Sequence, residues 1–164
     1  MQRLYEEFIP EHYSVQWDLT AANKRKITGS VTIAGKQIAS DSIRLHSKDI
    51  TITNLTVNGE QAHHEFGKDD TLVIDHEGAG DVTVYVDFSL SLTDSMHGIY
   101  PCYFEYKREK KELYATQFES HHAREAFPCV DEPEAKATFD VSLVTAEGVK
   151  VLSNMPTAST AATD

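Results

Sequence analysis

The residues that decide the fold are Asp81-Val82-Thr83-Val84-Tyr85-Val86-Asp87-Phe88-Ser89-Leu90-Ser91-Leu92. Every second residue from Val82 to Leu92 is apolar, six in succession, and the residues between them are mostly polar. A period of two places the apolar side chains on one face of a β-strand and leaves the other face to water. This stretch therefore predicts a strand with one face on a hydrophobic core.

Shorter alternations of the same kind occur on both sides of this stretch. They are Tyr13, Val15, Trp17 and Leu19; Ile27, Val31 and Ile33; Ile43 and Leu45; Leu72 and Ile74; and Phe139, Val141 and Leu143. Helical signals are scarce, and the best is a turn or two from Ser120 to Ala126 with Ser120 as the N-cap. We therefore predict an all-β fold, an antiparallel β-sandwich or saddle-like two-sheet domain with one short helical turn near residues 120–127.

Three local irregularities are also predicted. The parity of the apolar residues shifts near Thr53-Asn54, which indicates a β-bulge. Asn58-Gly59 is a strong signal for a hairpin turn. Gly78-Ala79-Gly80-Asp81 predicts another turn, directly before the six-residue alternation.

Composition narrows the classes of function. The chain has 164 residues, the length of one domain, and its 15 basic and 26 acidic residues give a net charge of −11. This charge argues against nucleic acid or an anionic membrane as a partner, because both need a basic face. No apolar run is long enough to span a membrane.

Two further features predict a cytoplasmic location. The first residues, Met1-Gln2-Arg3-Leu4-Tyr5-Glu6-Glu7, become acidic where a signal peptide would be apolar. Cys102 and Cys129 are predicted to be free thiols, as is usual for two cysteines in a cytosolic chain.

The segment from Leu113 to Glu119 carries the first candidate site. If it is a strand, the side chains of Gln117 and Glu119 leave the same face about 7 Å apart. An amide beside a carboxylate suits a cationic amine, which offers three donors. The alternative is a polar face that is simply solvated.

A proline-rich loop follows this segment. Arg124 and Asp131 either form a clamp that closes the loop, which Pro128 and Pro133 stiffen, or remain exposed charges that contribute little to stability. The residues alone leave these two readings equal.

The same region carries a resemblance to a known family. The ordered segments are Thr116-Gln117-Phe118-Glu119, Ala123-Arg124, Ala126-Phe127-Pro128-Cys129, Asp131-Glu132-Pro133 and Lys136-Ala137-Thr138-Phe139. Weaker matches are Pro10-Glu11-His12-Tyr13, Leu45-His46, Gly98-Ile99-Tyr100 and Ser153-Asn154-Met155-Pro156. The chain resembles the N-terminal domain of the zinc-dependent aminopeptidase N family of metallopeptidases, of the gluzincin type.

The resemblance implies a function for the parent protein, a zinc aminopeptidase that removes single amino acids from peptide N-termini. It implies that Gln117 and Glu119 bind the substrate α-amine. It assigns an architectural role to Arg124, Phe127, Pro128, Cys129, Asp131, Glu132 and Pro133. The implied partners are peptides with a free N-terminus and the catalytic domain of the same parent chain.

The family's zinc motif, His-Glu-x-x-His, is absent from this sequence. Residues 76–80 read His-Glu-Gly-Ala-Gly, which begins correctly but lacks the second histidine. His63-His64 and His121-His122 are adjacent pairs, and neighbours on a strand point to opposite faces. We therefore predict no catalytic residue and no metal site in this chain, with the zinc of the parent held elsewhere.

These expectations define the domain organisation. Residues 1–156 are expected to be the N-terminal β domain of an aminopeptidase, cut before its last strands and inactive alone, and residues 157–164 a tail or cut end. Two other functions stay open, a non-catalytic scaffold relative and a free-standing β-sandwich binding module. Gln117 and Glu119 weigh against the scaffold. The lone Trp17, in a core pattern, weighs against a carbohydrate-binding module.

Overall fold

The computed structural model of the protein describes residues 3–162, and for residues 39 and 40 it describes the backbone alone. Within these residues the strands are β1 (Phe8–Asp18), β2 (Lys26–His46), β3 (Ile50–Val57), β4 (Glu60–Gln61), β5 (His64–Phe66), β6 (Thr71–Ser91), β7 (Gly98–Tyr106), β8 (Glu109–Gln117) and β9 (Thr138–Val144). The helical elements of the same residues are short 3-10 turns at Leu4–Glu6, Ala22–Lys24 and Ala123–Glu125. The all-β prediction is confirmed.

The described strands form two sheets. The larger has the order β4-β3-β6-β2-β1-β9, with β5 paired to β6, and the smaller is the β7-β8 hairpin. Every described pair is antiparallel except β1 with β9, which run parallel. The parallel pair is possible because about 120 residues of chain separate β1 from β9 and return the chain in the same direction.

The centre of the larger sheet is built from two strands of 21 residues each, β2 and β6. The sequence patterns predicted two shorter strands in place of each, and the turn predicted at residues 78–81 is wrong. Gly78 and Gly80 have φ angles of +136° and +119°, and β6 stays paired to β2 through them. The register shifts there, between Gln37 and Ser42, so the glycines accommodate bulges within a continuous strand.

The other two irregularities are confirmed. The β3-β6 register shifts between Ile52 and Asn54, where the bulge is predicted. Asn58 and Gly59 connect β3 to β4 with φ angles of +52° and +85°, as a two-residue type I′ hairpin turn requires.

The core lies on one face of the large sheet. The apolar residues that alternate from Val82 to Leu92 are all at most 6% exposed, which confirms the prediction that one face of this strand lies on the core. An aromatic cluster closes the core beside β1 and consists of Tyr13, Trp17, Phe118, Phe127 and Phe139. Helices of the length and apolarity needed to cross a membrane are not found among the described residues.

Candidate functional site

The candidate amine-binding residues lie where β8 ends. The strand stops at Gln117, and Glu119 lies in the turn that follows, so the strand predicted to continue through Glu119 ends two residues early. Both side chains are exposed. The Gln117 Nε2 donates to the backbone carbonyl of Glu119 at 3.3 Å. The peptide bond between Glu119 and Ser120 is cis.

The residue between them anchors the segment. The Phe118 ring lies edge-on to the buried Phe127 ring, with centroids 6.1 Å apart. The Phe118 carbonyl accepts the His122 N–H at 2.8 Å, which closes the turn. Phe127 in turn packs edge-on against Tyr13 and Trp17 at 6.0 and 5.6 Å. Gln117 and Glu119 therefore flank a side chain that is fixed on the core.

A buried hydrogen bond holds the helical turn that follows. The Trp17 Nε1 donates to the Ala126 carbonyl at 2.9 Å. The 3-10 turn begins at Ala123, with His122 and not Ser120 at the N-cap position, so the N-cap prediction is wrong. The Ser120 Oγ instead lies 2.7 Å from the His121 Nδ1. Ser120 lies two residues before the N-cap position, so its hydroxyl is not placed to cap this turn.

Arg124 and Asp131 are paired across the proline-rich loop. The Arg124 Nε donates to the Asp131 Oδ2 at 3.0 Å, and the Arg124 backbone N–H donates to the same oxygen at 3.3 Å. The two side chains are 13% and 10% exposed, so solvent screening is weak. Asp70 lies further away, 3.8 Å from the Arg124 Nη1. This geometry agrees with the first alternative, a clamp between Arg124 and Asp131 that closes the loop.

The rest of the loop is tied down by main-chain contacts. Cys129 and His46 exchange backbone hydrogen bonds of 2.7 and 3.0 Å. The Glu132 carboxylate accepts the backbone N–H groups of Leu4 and Tyr5 at 2.9 and 3.1 Å. The Tyr13 hydroxyl accepts the Val130 N–H at 3.1 Å. The loop therefore joins the end of β2, the middle of β1 and the N-terminal 3-10 turn.

Burial shifts the pKa values of three side chains in and around this loop. It raises the pKa of the Cys129 thiol and of the Tyr13 phenol, and it lowers the pKa of His46, to which the Arg124 cation adds. Cys102 and Cys129 are both free thiols, as predicted. A buried neutral thiol is a packing residue and not a nucleophile.

Sequence reasoning missed one cluster of polar side chains. The Glu125 carboxylate is contacted by the Nδ1 atoms of His97 and His122, the second at 3.1 Å, and by the Lys48 Nζ at 3.0 Å. Burial alone would raise the pKa of Glu125, but hydrogen bonds from Lys48, His122 and His97 outweigh it and lower this pKa. The spacing of His122 and Glu125 was readable from the sequence, but only the fold brings His97 to them.

The zinc implied by the family resemblance does not fit the residues of its partial motif. His76 and Glu77 lie in β6, where no helix face can bring two ligands together. The His76 Nδ1 lies 2.6 Å from the Gln37 Oε1 and is engaged in that contact. No catalytic step through this histidine follows from the structure.

The sequence matches known proteins over nearly its whole length. The profile of the Peptidase M1 N-terminal domain matches residues 9–164. An aminopeptidase N of Lactococcus lactis subsp. lactis is 47% identical over 158 residues, which cover 94% of this chain and 18% of that protein. An aminopeptidase N of Lactobacillus delbrueckii subsp. lactis is 45% identical over 159 residues, 95% of this chain and 19% of that protein.

A more distant relative is a glutamyl aminopeptidase of Bos taurus, 32% identical over 170 residues that cover 94% of this chain and 18% of that protein. The chain therefore spans less than a fifth of the length of these relatives. Because the family profile covers nearly every residue, the chain belongs to the Peptidase M1 N-terminal domain family.

Proposed function

We propose that this chain is the substrate-end-binding domain of a zinc aminopeptidase that removes single amino acids from peptide N-termini. Gln117 and Glu119 bind the peptide's α-ammonium group. In this proposal the zinc and the residues that would hold it belong to the catalytic domain of the same parent chain, where the ion would supply the Lewis-acid chemistry of peptide hydrolysis. The names of the relatives, two aminopeptidases N and a glutamyl aminopeptidase, support this reaction class.

The proposal depends on two properties of the Glu119 side chain, its exposure and its lack of a hydrogen-bond donor in the part of the chain that the structure describes. The side chain is exposed, and none of the described residues donates a hydrogen bond to its carboxylate. The segment is nonetheless fixed, because Phe118 is held on Phe127 and hydrogen-bonded to His122. An unpaired carboxylate on a rigid support suits an ammonium group, and each charge-assisted hydrogen bond contributes about 1.5–3 kcal/mol.

The chemistry of an exopeptidase gives this arrangement a purpose. An enzyme that removes one residue must locate the end of its substrate, and the end is marked by a cation. The net charge of −11 also favours the approach of cationic peptide ends.

Exposed apolar side chains support the proposed contact with the rest of the parent chain. Tyr103 and Tyr106 on β7 are 60% and 57% exposed, and Phe139 on the edge strand β9 is 51% exposed. Val141 and Leu143 continue the exposed apolar row of β9 at 50% and 37% exposure, and such a row is a candidate contact surface for the rest of the parent chain. The proposal places the protein in the cytoplasm, which its two free thiols support.

The test is made on the full-length protein that contains this chain. We expect it to hydrolyse an aminoacyl-anilide, to lose this activity to a chelator and to regain it with zinc. The N-acetylated anilide should not be hydrolysed, because it lacks the ammonium group. The 164-residue chain should be inactive with or without added zinc. A full-length protein without chelator-sensitive activity would indicate the scaffold function instead.

A further inference from the structure

Three potential metal ligands converge beside the turn that follows Glu119. His122 and Glu125 are the N-cap residue and the last residue of the 3-10 turn. Residues three apart in a 3-10 helix eclipse each other, so their side chains leave the same side. His97 comes from the residue before β7 and stacks on His122, with ring centroids 4.1 Å apart and an interplanar angle of 18°.

The ligand atoms are close enough to share one ion. One ligand atom from each of His97, His122 and Glu125 lies within 4.8 Å of the other two. Tetrahedral zinc with bonds of 2.0–2.2 Å holds its ligand atoms about 3.3 Å apart. The His122 Nδ1 lies 3.1 Å from the Glu125 Oε1, so this contact has to open only slightly for an ion to bind both atoms.

The ligand types select the class of ion. Two imidazole nitrogens and one carboxylate oxygen suit Zn²⁺, Co²⁺, Ni²⁺ or Cu²⁺. Ca²⁺ and Mg²⁺ prefer an all-oxygen set and are not favoured here. Both histidines face the Glu125 carboxylate through Nδ1, His97 at Oε2 and His122 at Oε1. A metal ion takes the place of the hydrogen that each Nδ1 donates, which leaves neutral rings with the hydrogen on Nε2.

Space for a further ligand lies beside two of the three residues, His97 and Glu125. A cavity of about 40 Å³ is lined in part by His97, Glu125, Asp49 and Thr93. This is enough room for a water molecule, which would complete a four-coordinate ion. The Glu125 side chain is only 12% exposed, so solvent competes weakly for the carboxylate.

Lys48 is the one cation that already contacts this carboxylate among the described residues. Its Nζ lies 3.0 Å from the Glu125 Oε1, whereas His97 contacts the Oε2. A carboxylate has two oxygens with about four lone-pair sites, so it can keep the lysine and accept a metal ion. The ammonium nevertheless repels a dication, and its removal should strengthen metal binding.

We propose that His97, His122 and Glu125 form a binding site for a single divalent transition-metal ion, with Zn²⁺ the typical occupant. The ion links the loop before β7 to the turn that carries His122 and Glu125. Because this turn directly follows Glu119, a bound ion holds the end of the Gln117–Glu119 segment. Binding also stabilises the folded chain, since the unfolded chain has no preformed site.

The first test is a Zn²⁺ titration of the metal-free 164-residue chain by calorimetry at pH 7.5. We expect one ion per chain and, at 100 times the dissociation constant, a rise in Tm of about 5–10 °C. In the wild-type chain, ¹⁵N NMR of the imidazoles should show Zn²⁺-dependent shifts at the Nδ1 atoms of His97 and His122. Shifts confined to other histidines, or no saturation at 1 mM Zn²⁺, would overturn the proposal.

Variants separate this site from surface histidines. His97→Ala, His122→Ala and Glu125→Gln should each weaken binding at least tenfold. The matched control is His121→Ala, because His121 stacks on His122 but is not one of the converging ligands. It should stay within twofold of wild type. Lys48→Met should tighten binding at least twofold. An affinity unchanged in both His97→Ala and His122→Ala would show that the cluster is an ion-pair network only.

Discussion

The ring Nδ1 of His46 accepts a hydrogen bond from the backbone N–H of Asp131 at 3.1 Å. An acceptor nitrogen carries no proton, so this bond requires the neutral imidazole. Burial is the main cause that lowers the pKa of His46, and the Arg124 cation adds to it, against the opposing pull of nearby carboxylates. The end of β2 and the proline-rich loop are thus joined through a histidine that folding keeps neutral.

This bond predicts a pH dependence of stability. Unfolded His46 takes up a proton near its ordinary pKa of 6.5, and folded His46 does so only at lower pH. Below pH 6.5 the unfolded state therefore binds more protons, so the stabilisation is complete above pH 6.5 and is lost as the pH falls. Urea unfolding at pH 7.5 and 5.5 measures this loss.

His46→Gln should reduce the difference between the two pH values, because glutamine does not titrate there. His64→Gln, on the short strand β5, is the control and should unfold with the pH dependence of wild type. An identical pH dependence in His46→Gln and wild type would show that His46 is not its source.

The Arg124–Asp131 clamp predicts a large loss of stability when it is broken. Arg124→Ala leaves the Asp131 carboxylate at 10% exposure without its cation. Removal of one partner from a buried pair costs about 3–5 kcal/mol, and the residual exposure here reduces this to about 2–4 kcal/mol. Urea unfolding followed by circular dichroism measures the change.

The matched control is Arg25→Ala, which breaks an Arg–Asp pair of the same chemistry at 43% and 66% exposure. Water screens that pair, so the unfolding midpoint should hardly move. Equal effects of the two substitutions would mean that the burial of the Arg124 pair has no energetic consequence.

The hydrogen bond of the Trp17 indole predicts a second loss of stability when its donor is removed. Trp17→Phe keeps a ring in the core but removes the donor to the Ala126 carbonyl, which is then buried and unpaired. Such a group costs about 1–3 kcal/mol. Because Trp17 is the only tryptophan, unfolding has to be followed by circular dichroism rather than by fluorescence. Tyr106→Phe, on an exposed ring, should leave the midpoint unchanged.

Local sequence patterns predicted the parts of the fold that depend on neighbouring residues. The alternation from Val82 to Leu92, the bulge near Asn54 and the Asn58-Gly59 hairpin all depend on residues close in sequence. The continuous strand β6 was not predictable in this way. Two glycines so close together usually end a strand. Here the pairing with the equally long β2 carries the strand through Gly78 and Gly80.

The candidate site also has parts that the sequence could predict and parts that it could not. The Arg124–Asp131 pair spans a short loop, and the sequence allowed it as one of two readings. His97 lies 25 positions before His122, and Lys48 lies on another loop, so no spacing links them to Glu125. Their meeting depends on how β7 packs beside the 3-10 turn. The role of Gln117 and Glu119 stays a prediction, based on the resemblance and on their exposure.

The binding of the substrate ammonium by Glu119 is tested most directly by kcat/KM for an aminoacyl-anilide in the full-length protein with Glu119→Ala. We expect a fall of at least tenfold, about 1.4 kcal/mol of transition-state stabilisation, because the substrate ammonium loses its carboxylate. Glu105→Ala, an exposed carboxylate on β7, should keep the wild-type value within twofold. An unchanged kcat/KM in Glu119→Ala would show that Glu119 does not bind the substrate ammonium.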